Sequence, residues 1–234
     1  MIVNGMCRGV TYDYYRYHVL PMARRYALVI GEIDWGQRLE WDNHHEYFPR
    51  RETFIIDTLP IRVCVPADRL IARLLWQPKY KNCVFKVTLG CTFKRKIVWF
   101  SSLSLGTMND DIIAVQALHG HRVFRYPWEW CLADGIYRTL PNAHIPHRKP
   151  QHRDLNATES ADNKRLADAR ARIEHTNAWV VYSHEMFHGR PFIGSFDDLH
   201  MYVTISVHTT AAMIEMEPTR GEHMGRFNHP HVPR

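Results

Sequence analysis

Residues 127–137 read PWEWCLADGIY, a short apolar run that reaches a carboxylate, Asp134, and then a glycine, Gly135. The residues from Trp130 to Ala133 carry no charge, which is the pattern of a strand buried on both faces of a sheet. The stretch therefore predicts a core strand with Asp134 at its end.

A long helical pattern follows at residues 162–182, DNKRLADARARIEHTNAWVVY. Three- and four-residue steps join Leu166, Arg170, Ile173, Asn177 and Val180 into one row, and the neighbouring row holds Ala167, Ala171, Glu174 and Ala178. Alanines let a helix approach a sheet closely, so we predict that Glu174 lies on the inner side of this helix. The alternative is an ordinary solvent-facing glutamate. Thr158, Ser160 and Asp162 are candidate N-caps.

The strands upstream are predicted from β-branched and aromatic runs. TFIID at 53–57 predicts a first strand with Asp57 at its end, and Pro60 is expected to stop pairing on that side. CVFKVTLGCTF and KRKIVWFSSLSL, which together span 83–105, predict an antiparallel hairpin with a basic turn that lacks glycine.

Four further segments have helical character. PADRLIARLLW at 66–76 and NDDIIAVQAL at 109–118 each predict a helix, the second beginning near Asn109 or Asp110. Residues 11–33 have a helix-like composition that Pro21 interrupts. LHMYVTISVHTTAAMIEM at 199–216 fits either one helix or a strand followed by a helix.

Composition sets broad limits on the protein class. With 234 residues, 45% of them hydrophobic and 23% charged, the chain is long enough for one sizeable globular core. Five cysteines without CxxC spacing favour a reducing compartment. An apolar run of eighteen residues and a signal peptide are both absent, which predicts a soluble intracellular protein without a membrane partner. A net charge of +6 suits a polyanionic partner.

The order of several motifs resembles a known family. GTMND at 106–110 precedes WEWCLADGIY, then HIPHRKP, then N-x-x-L-x-x-x-R-x-x-I-E-H; FIIDTLPIRV and QPKYKNCVFKVTLG lie upstream and FIGSFDDLHMYV downstream. This order resembles the catalytic core of PIF/Harbinger-type DDE-superfamily transposases and Harbinger-like nucleases, over roughly residues 35–218. The FKRK turn departs from the family, which usually has a glycine there.

The resemblance implies an α/β, RNase H-like fold with a central mixed sheet, flanking helices and a carboxylate cluster at one edge. It implies a catalytic domain over 51–218, preceded by a shortened helical N-terminal extension over 1–50. Residues 219–234 are polar, rich in Gly and Pro, and predicted to be a disordered tail. Double-stranded DNA as partner, a nuclear location, a separate DNA-binding helper protein and a homo-oligomer are further expectations.

The resemblance assigns three acids to a site: Asp57, Asp134 and Glu174 match the family's triad position by position. Together they are expected to bind two Mg²⁺ or Mn²⁺ ions about 4 Å apart, which prefer carboxylate oxygens and would support DNA cleavage and joining. The alternative is that the two aspartates are turn or cap residues and Glu174 is a surface acid. Asp110 matches another acid of the family and is either a helix cap or a neighbour of the metal.

Basic side chains could contact DNA phosphates around this site. The candidates are Lys79, Lys81, Lys86, Lys94, Arg95, Lys96, Arg148, Lys149, Arg165, Arg170 and Arg172. Each could equally belong to a solvated face.

Two alternatives to an active nuclease remain. The shortened front leaves open a truncated or domesticated relative that binds DNA or a protein without catalysis. His184, Glu185 and His188 fit the zinc motif H-E-x-x-H, but Gly189 and Pro191 would end the required helix, so we disfavour a zinc protease. The remaining histidine pairs, which include His144 and His147, are interpreted as surface or loop residues.

Overall fold

The computed structural model describes residues 13–43, 45–48, 51–119, 126, 128–184, 187 and 191–216. The tail predicted over 219–234 lies outside these residues, as do Cys7 and two members of the H-E-x-x-H motif, Glu185 and His188. None of the helices in the described part is long and apolar enough to span a bilayer.

The described chain alternates strands and helices around one sheet. The strands are β1 (Glu52–Val63), β2 (Trp76–Gln77), β3 (Asn82–Cys91), β4 (Ile97–Phe100), β5 (Ser104–Leu105), β6 (Trp130–Leu132) and β7 (Ala143–His144). The α-helices are α1 (Leu20–Ile30), α2 (Arg69–Leu75), α3 (Asp110–His119), α4 (Ala157–Tyr182) and α5 (Phe196–Met216). A π-helical turn at Tyr15–Val19 leads into α1, and two short 3₁₀ helices follow at Trp35–Leu39 and Trp41–Asn43.

The sheet is mixed, with the order β2-β3-β1-β6-β7 and with β4 and β5 also paired to β3. β1 runs antiparallel to β3 and parallel to β6, and β6 runs parallel to β7. Helices cover both faces. Leu166 and Ile173 of α4 pack with Ile55 and Leu132 on one face, and α3 packs on the other. This mixed α/β arrangement is consistent with the predicted RNase H-like fold.

β1 is longer than expected, and the expectation that pairing stops at Pro60 is wrong. The strand continues to Val63 and pairs with β3 throughout, with Pro60 opposite Lys86. The register with β6 ends at Ile55, so in the described part of the chain Pro60 is paired on the β3 side alone; a single parallel bridge to Phe192 forms further on, at Val63. A proline is tolerated where a strand is paired on one side only. Asp57 therefore lies within β1, not at its end.

The β3–β4 hairpin and both ambiguous helical segments are now defined. β3 pairs antiparallel to β4 as predicted, and the turn without glycine places Arg95 in the left-handed region, with φ 68°. Residues 196–216 form one helix, α5, which settles the choice left open for that segment. Pro21 is the second residue of α1 and comes just after the π-helical turn, so the regular α-helix begins beside the proline while the backbone is helical on both sides of it.

The segment before the sheet is tied to it by a buried ion pair. Arg38, 1% exposed, donates to Glu129, 0% exposed, and its guanidinium also stacks over the Trp35 ring. Thr53 Oγ1 donates to the same carboxylate at 2.8 Å. A buried charge pair is stable only when its remaining polar atoms are also bonded, and here both partners have such bonds.

Candidate active site

Asp57 and Asp134 occupy matching positions just beyond the last paired residues of two parallel strands. Ile55 of β1 is paired with Leu132 of β6, and each aspartate stands two residues further along its own chain. Strand side chains alternate between faces with a period of two, so Asp57 shares the face of Ile55, which is the face that α4 covers. Asp134 follows the end of β6, as predicted.

Two side chains of α4 reach these two carboxylates. Asn177 Nδ2 donates to Asp57 Oδ2 at 2.9 Å. Arg170 Nη2 lies 3.6 Å from Asp134 Oδ2, with 14% of the arginine side chain and 53% of the aspartate side chain exposed. The other Asp134 oxygen, Oδ1, accepts from the Gly135 N–H at 2.5 Å. Helix α4 therefore holds both aspartates from one side.

Glu174 lies between these two contacts along the helix. It is four residues after Arg170 and three before Asn177, and residues at such spacings are neighbours on a helix surface. Its side chain is exposed, whereas Ile173 and Asn177 are buried. The prediction that Glu174 lies on the inner side is therefore wrong: the residue stands on the flank, at the border between the packed face and solvent.

The helix also begins earlier than expected. Its N-cap is Asn156, which forms a capping box with Glu159, so Thr158, Ser160 and Asp162 are not the cap. The row from Leu166 to Val180 forms the packed face instead, since Leu166, Ile173, Asn177 and Val180 are buried. Glu174 lies about 80° around the helix from Leu166, on the 100° per residue of an α-helix.

The electrostatics of Asp57 reflect its position under the helix. Burial is the largest cause that raises the pKa of Asp57, to about 6. The charges of Asp134 and Asp110 raise this pKa further, while the Thr58 N–H and the Arg170 guanidinium lower it. Desolvation therefore contributes more to this pKa than repulsion between carboxylates does.

Asp110 belongs to the same acidic region but has a partner of its own. It is the first residue of α3, and its Oδ1 lies 2.8 Å from Nζ of the buried Lys86. Lys86 Nζ also donates to the Met108 carbonyl at 2.7 Å. Lys86 therefore anchors the loop before α3 and does not stand on an exposed face as a phosphate contact. The negative charge of Asp110 still raises the pKa of Asp57 and that of the Tyr137 hydroxyl. Burial is the largest cause of the raised pKa in both groups.

In the described part of the chain, the three predicted acids are not arranged as a metal centre. Across the described ranges, no three His, Cys, Asp or Glu side chains stand in an arrangement that could hold a metal ion. Asp57 and Asp134 are brought together, and Glu174 is on the adjacent helix flank with its carboxylate in solvent. The chemistry of the donors still suits a hard divalent cation, because all three are carboxylates.

Sequence reasoning missed two features of the site region. Arg170 and Asn177 were recognised as members of one helical row, but nothing in their spacing identified their carboxylate partners. Likewise His144, interpreted as a surface or loop residue, lies between Glu52 Oε1 at 3.0 Å and Asp162 Oδ2 at 3.1 Å. Glu52 is 92 residues away in sequence, so only the folded chain reveals this bridge.

His184, the first residue of the H-E-x-x-H motif, does not lie on a helix. Helix α4 ends at Tyr182 with Ser183 as its C-cap, so His184 lies beyond the helix. Burial lowers the pKa of His184.

One known family matches the part of the chain that contains the sheet and its helices. The family model described as DDE superfamily endonuclease matches residues 56–211, two thirds of the chain, from within β1 to within α5. No curated protein and no solved structure shows a significant match to the chain.

Proposed function

Because the chain belongs to the DDE superfamily endonuclease family, we propose that it is a metal-dependent nuclease of the Harbinger transposase type that cleaves and joins DNA. One observation carries the proposal: helix α4 contacts Asp57 of β1 through Asn177 and contacts Asp134, which follows β6, through Arg170, and the flank of the same helix carries Glu174. Family membership supports the reaction class, and the Harbinger type rests on the motif order in the sequence.

Asp57, Asp134 and Glu174 would hold the cations, which we take to be two Mg²⁺ or Mn²⁺ ions. Two observations indicate that these residues suit divalent cations: the negative charges around Asp57, and a buried oxygen atom beside it that has no hydrogen-bond partner among the described residues. Negative charges at Asp134 and Asp110 raise the pKa of Asp57, so a cation would relieve a real repulsion. Asn177 Oδ1, which is buried beside Asp57, has no hydrogen-bond partner among the described residues. Bound divalent cations would activate the attacking oxygen and stabilise charge on the reacting phosphate.

The chain's own residues would orient the carboxylates and the DNA. Arg170 is placed to balance the charge of Asp134, and Asn177 fixes one oxygen of Asp57. Glu174 has a free rotamer choice because it faces solvent, so it can turn toward the aspartates without disturbing the packed face. Exposed basic side chains would bind phosphates without reading sequence; they are Lys79, Lys81, Lys94, Arg148, Lys149 and Arg165.

Metal-dependent nicking of supercoiled DNA tests the proposal. Wild type should nick with Mg²⁺ or Mn²⁺ and not in EDTA, while Asp134→Asn and Glu174→Gln should lose at least about 100-fold in rate, as expected when an essential charge-stabilising group is removed. Asp168→Asn is a matched control, since Asp168 is an exposed acid on the same helix, and should cut like wild type. Equal cutting by the two site variants would refute the assignment.

A second candidate function is binding of DNA or of a protein partner without catalysis, as expected of a truncated or domesticated relative. Two observations favour it. Glu174 is exposed, and in the described part of the chain no three acidic side chains are arranged so that they could hold a metal ion. DNA or partner binding that persists in EDTA, with no cleavage at any enzyme concentration, would support this reading over the first. Nuclear location, a helper protein and a homo-oligomer stay predictions of the family resemblance.

A further inference from the structure

Four cationic side chains from two elements meet on one flank of α4. Lys94 and Arg95 belong to the turn between β3 and β4, and Arg165 and Arg172 stand on α4. Positions seven apart on a helix share one stripe, so both α4 arginines lie on the same side of it. The turn packs against this side, because Thr176 Oγ1 lies 3.5 Å from the Arg95 carbonyl oxygen and 3.0 Å from that of Arg172. We call these four cations the turn–helix cluster.

The members of the cluster are close enough to repel one another. Burial lowers the pKa of Arg172 most, and the positive charge of Arg95 lowers it further. The pKa of the neighbouring His45 is lowered by burial first and then by the charges of Arg172 and Lys94. Positive charges held together without compensation raise the local electrostatic potential.

Acidic partners are lacking in this cluster. Within the described residues, none of its four cations forms an ion pair with a carboxylate, whereas their neighbours do: Lys96 lies 3.3 Å from Glu215, and Arg170 lies beside Asp134. Arg172 Nη1 donates to a backbone carbonyl, not to a carboxylate. The cluster is therefore a place where an external anion would gain the most.

Two aromatic rings hold the arginines of the cluster. The guanidinium carbon of Arg165 lies 5.3 Å from the centre of the Tyr47 ring, and that of Arg95 lies 5.5 Å from the centre of the Trp179 ring. Stacking on a ring restricts a guanidinium and leaves its N–H fork for phosphate oxygens. Because these rings are already contacted by guanidinium groups, the surface favours the phosphate backbone of a duplex over the unstacked bases of a single strand.

The cluster lies apart from the candidate catalytic acids. Arg172 and Glu174 are two residues apart and hence about 160° apart around α4, on the 100° per residue of an α-helix. They stand on opposite flanks of the buried row that includes Ile173. A ligand held by the cluster therefore needs neither Glu174 nor a metal ion.

We propose that the turn–helix cluster is a DNA-contact surface that binds the phosphate backbone of duplex DNA independently of the catalytic acids and of divalent cations. The choice of duplex DNA as the partner rests on the proposed function, and the anion-binding surface rests on the arrangement of the four cations. Contacts of this kind hold and orient the duplex without reading its sequence.

Duplex binding in EDTA, measured by fluorescence anisotropy over a series of salt concentrations, tests the proposal. The double variant Lys94→Gln, Arg165→Gln removes two exposed charges, so the fold should be kept. Each lost phosphate contact should reduce the slope of log K against log salt by about 0.9. The two together should reduce the slope by about 1.8 and the affinity by about 60-fold at about 0.1 M salt. Arg95→Gln, Arg172→Gln should give the same losses wherever its circular dichroism matches that of wild type.

Arg69→Gln, Arg73→Gln is the matched control. It removes the same number of exposed charges from α2, which contacts β3 near Cys83, roughly 25 Å along the strand from the turn. Affinity and salt slope should stay at their wild-type values. Equal losses in the control would show an effect of net charge alone and overturn the proposal, as would wild-type binding by Lys94→Gln, Arg165→Gln.

The same measurements separate this inference from the proposed function. If the duplex binds in EDTA and Lys94→Gln, Arg165→Gln weakens binding as expected, but no cleavage occurs with Mg²⁺ or Mn²⁺, the nuclease function fails and the surface stands. If wild type cleaves but binds no duplex in EDTA, the surface fails and the nuclease function stands. Tighter binding of a single-stranded oligonucleotide than of the duplex would refute duplex DNA as the partner.

Discussion

Replacing Asp57 with asparagine should stabilise the metal-free protein at neutral and alkaline pH. Asn is nearly the same size as Asp, and its side-chain oxygen can still accept the hydrogen bond that Asn177 Nδ2 now donates to Asp57 Oδ2. The substitution therefore removes a desolvated charge and leaves the packing of β1 against α4 in place. Charged site residues often lower the stability of the fold that carries them.

The expected magnitude follows from the pKa of Asp57. Its folded value of about 6 exceeds the ordinary value of 3.8, and about 2 units correspond to an upper limit of about 3 kcal/mol. Asp57 is only partly exposed, but solvent screening and relaxation reduce such values. We therefore expect a gain of about 1–2 kcal/mol at pH 8.

The pH dependence has a definite sign. Because the pKa of Asp57 is raised on folding, its carboxyl stabilises the fold below pH 3.8 relative to higher pH, and this contribution is lost as pH rises through about 6. The advantage of Asp57→Asn should thus be full at pH 8 and fall to roughly a third at pH 4.5. Urea unfolding in EDTA, followed by circular dichroism at both pH values, measures the difference at constant m value.

Asp134→Asn is the control for this experiment. Asp134 lies in the same site, but 53% of its side chain is exposed, so its charge is well solvated and its removal should change stability by less than about 0.5 kcal/mol. A variant Asp57→Asn that is no more stable than wild type at pH 8, or whose advantage is equal at pH 4.5, would show that Asp57 is not a strained, desolvated carboxylate. Saturating Mn²⁺ should stabilise wild type and leave Asp57→Asn unchanged.

The remaining predictions concern two bridges outside the site. The hydrogen bonds that protonated His144 donates to Glu52 and Asp162 raise its pKa, although partial burial opposes them. The stabilisation by charged His144 is therefore full below pH 6.5 and is lost as pH rises through the raised value. In urea unfolding, wild type should be more stable than His144→Gln by about 1 kcal/mol at pH 5.5 and by less at pH 8.5, and a difference that grows with pH would contradict this. Glu129→Gln leaves the buried Arg38 without a balancing charge. This variant should lower the free energy of unfolding by about 3–5 kcal/mol. A decrease below about 1 kcal/mol would show that water, or a rearrangement of the surrounding chain, solvates Arg38 in the variant.

Local patterns were sufficient for most of the elements. The hairpin of β3 and β4, the short helix α3 and the long helix α4 were all predicted, because each is defined by side-chain periodicity over neighbouring residues. Cys83, Cys91 and Cys131 are buried free cysteines that pack as small apolar groups. Boundaries were less well predicted, as with the N-cap of α4 at Asn156.

Errors arose where a residue's position depended on a distant strand or helix. Pro60 was expected to stop pairing on that side of β1, but β1 pairs with β3 up to Val63. The proline is tolerated because the pairing with β6 has already ended at Ile55, where β6 itself ends. Glu174 was expected to face inward because alanines surround it. The face that packs is instead centred on Ile173 and Val180, whose burial depends on how α4 lies across the sheet.

The sequence by itself determined that this chain forms one mixed α/β core of the DDE superfamily endonuclease family, with acids on a first strand, after a later strand and on a helix. Those properties depend on periodicity and motif order, which are written along the chain. Only the tertiary structure decided that Asn177 and Arg170 of one helix reach Asp57 and Asp134, and that Glu174 faces solvent. Such relations depend on strand register and helix rotation, which arise from packing between residues distant in sequence.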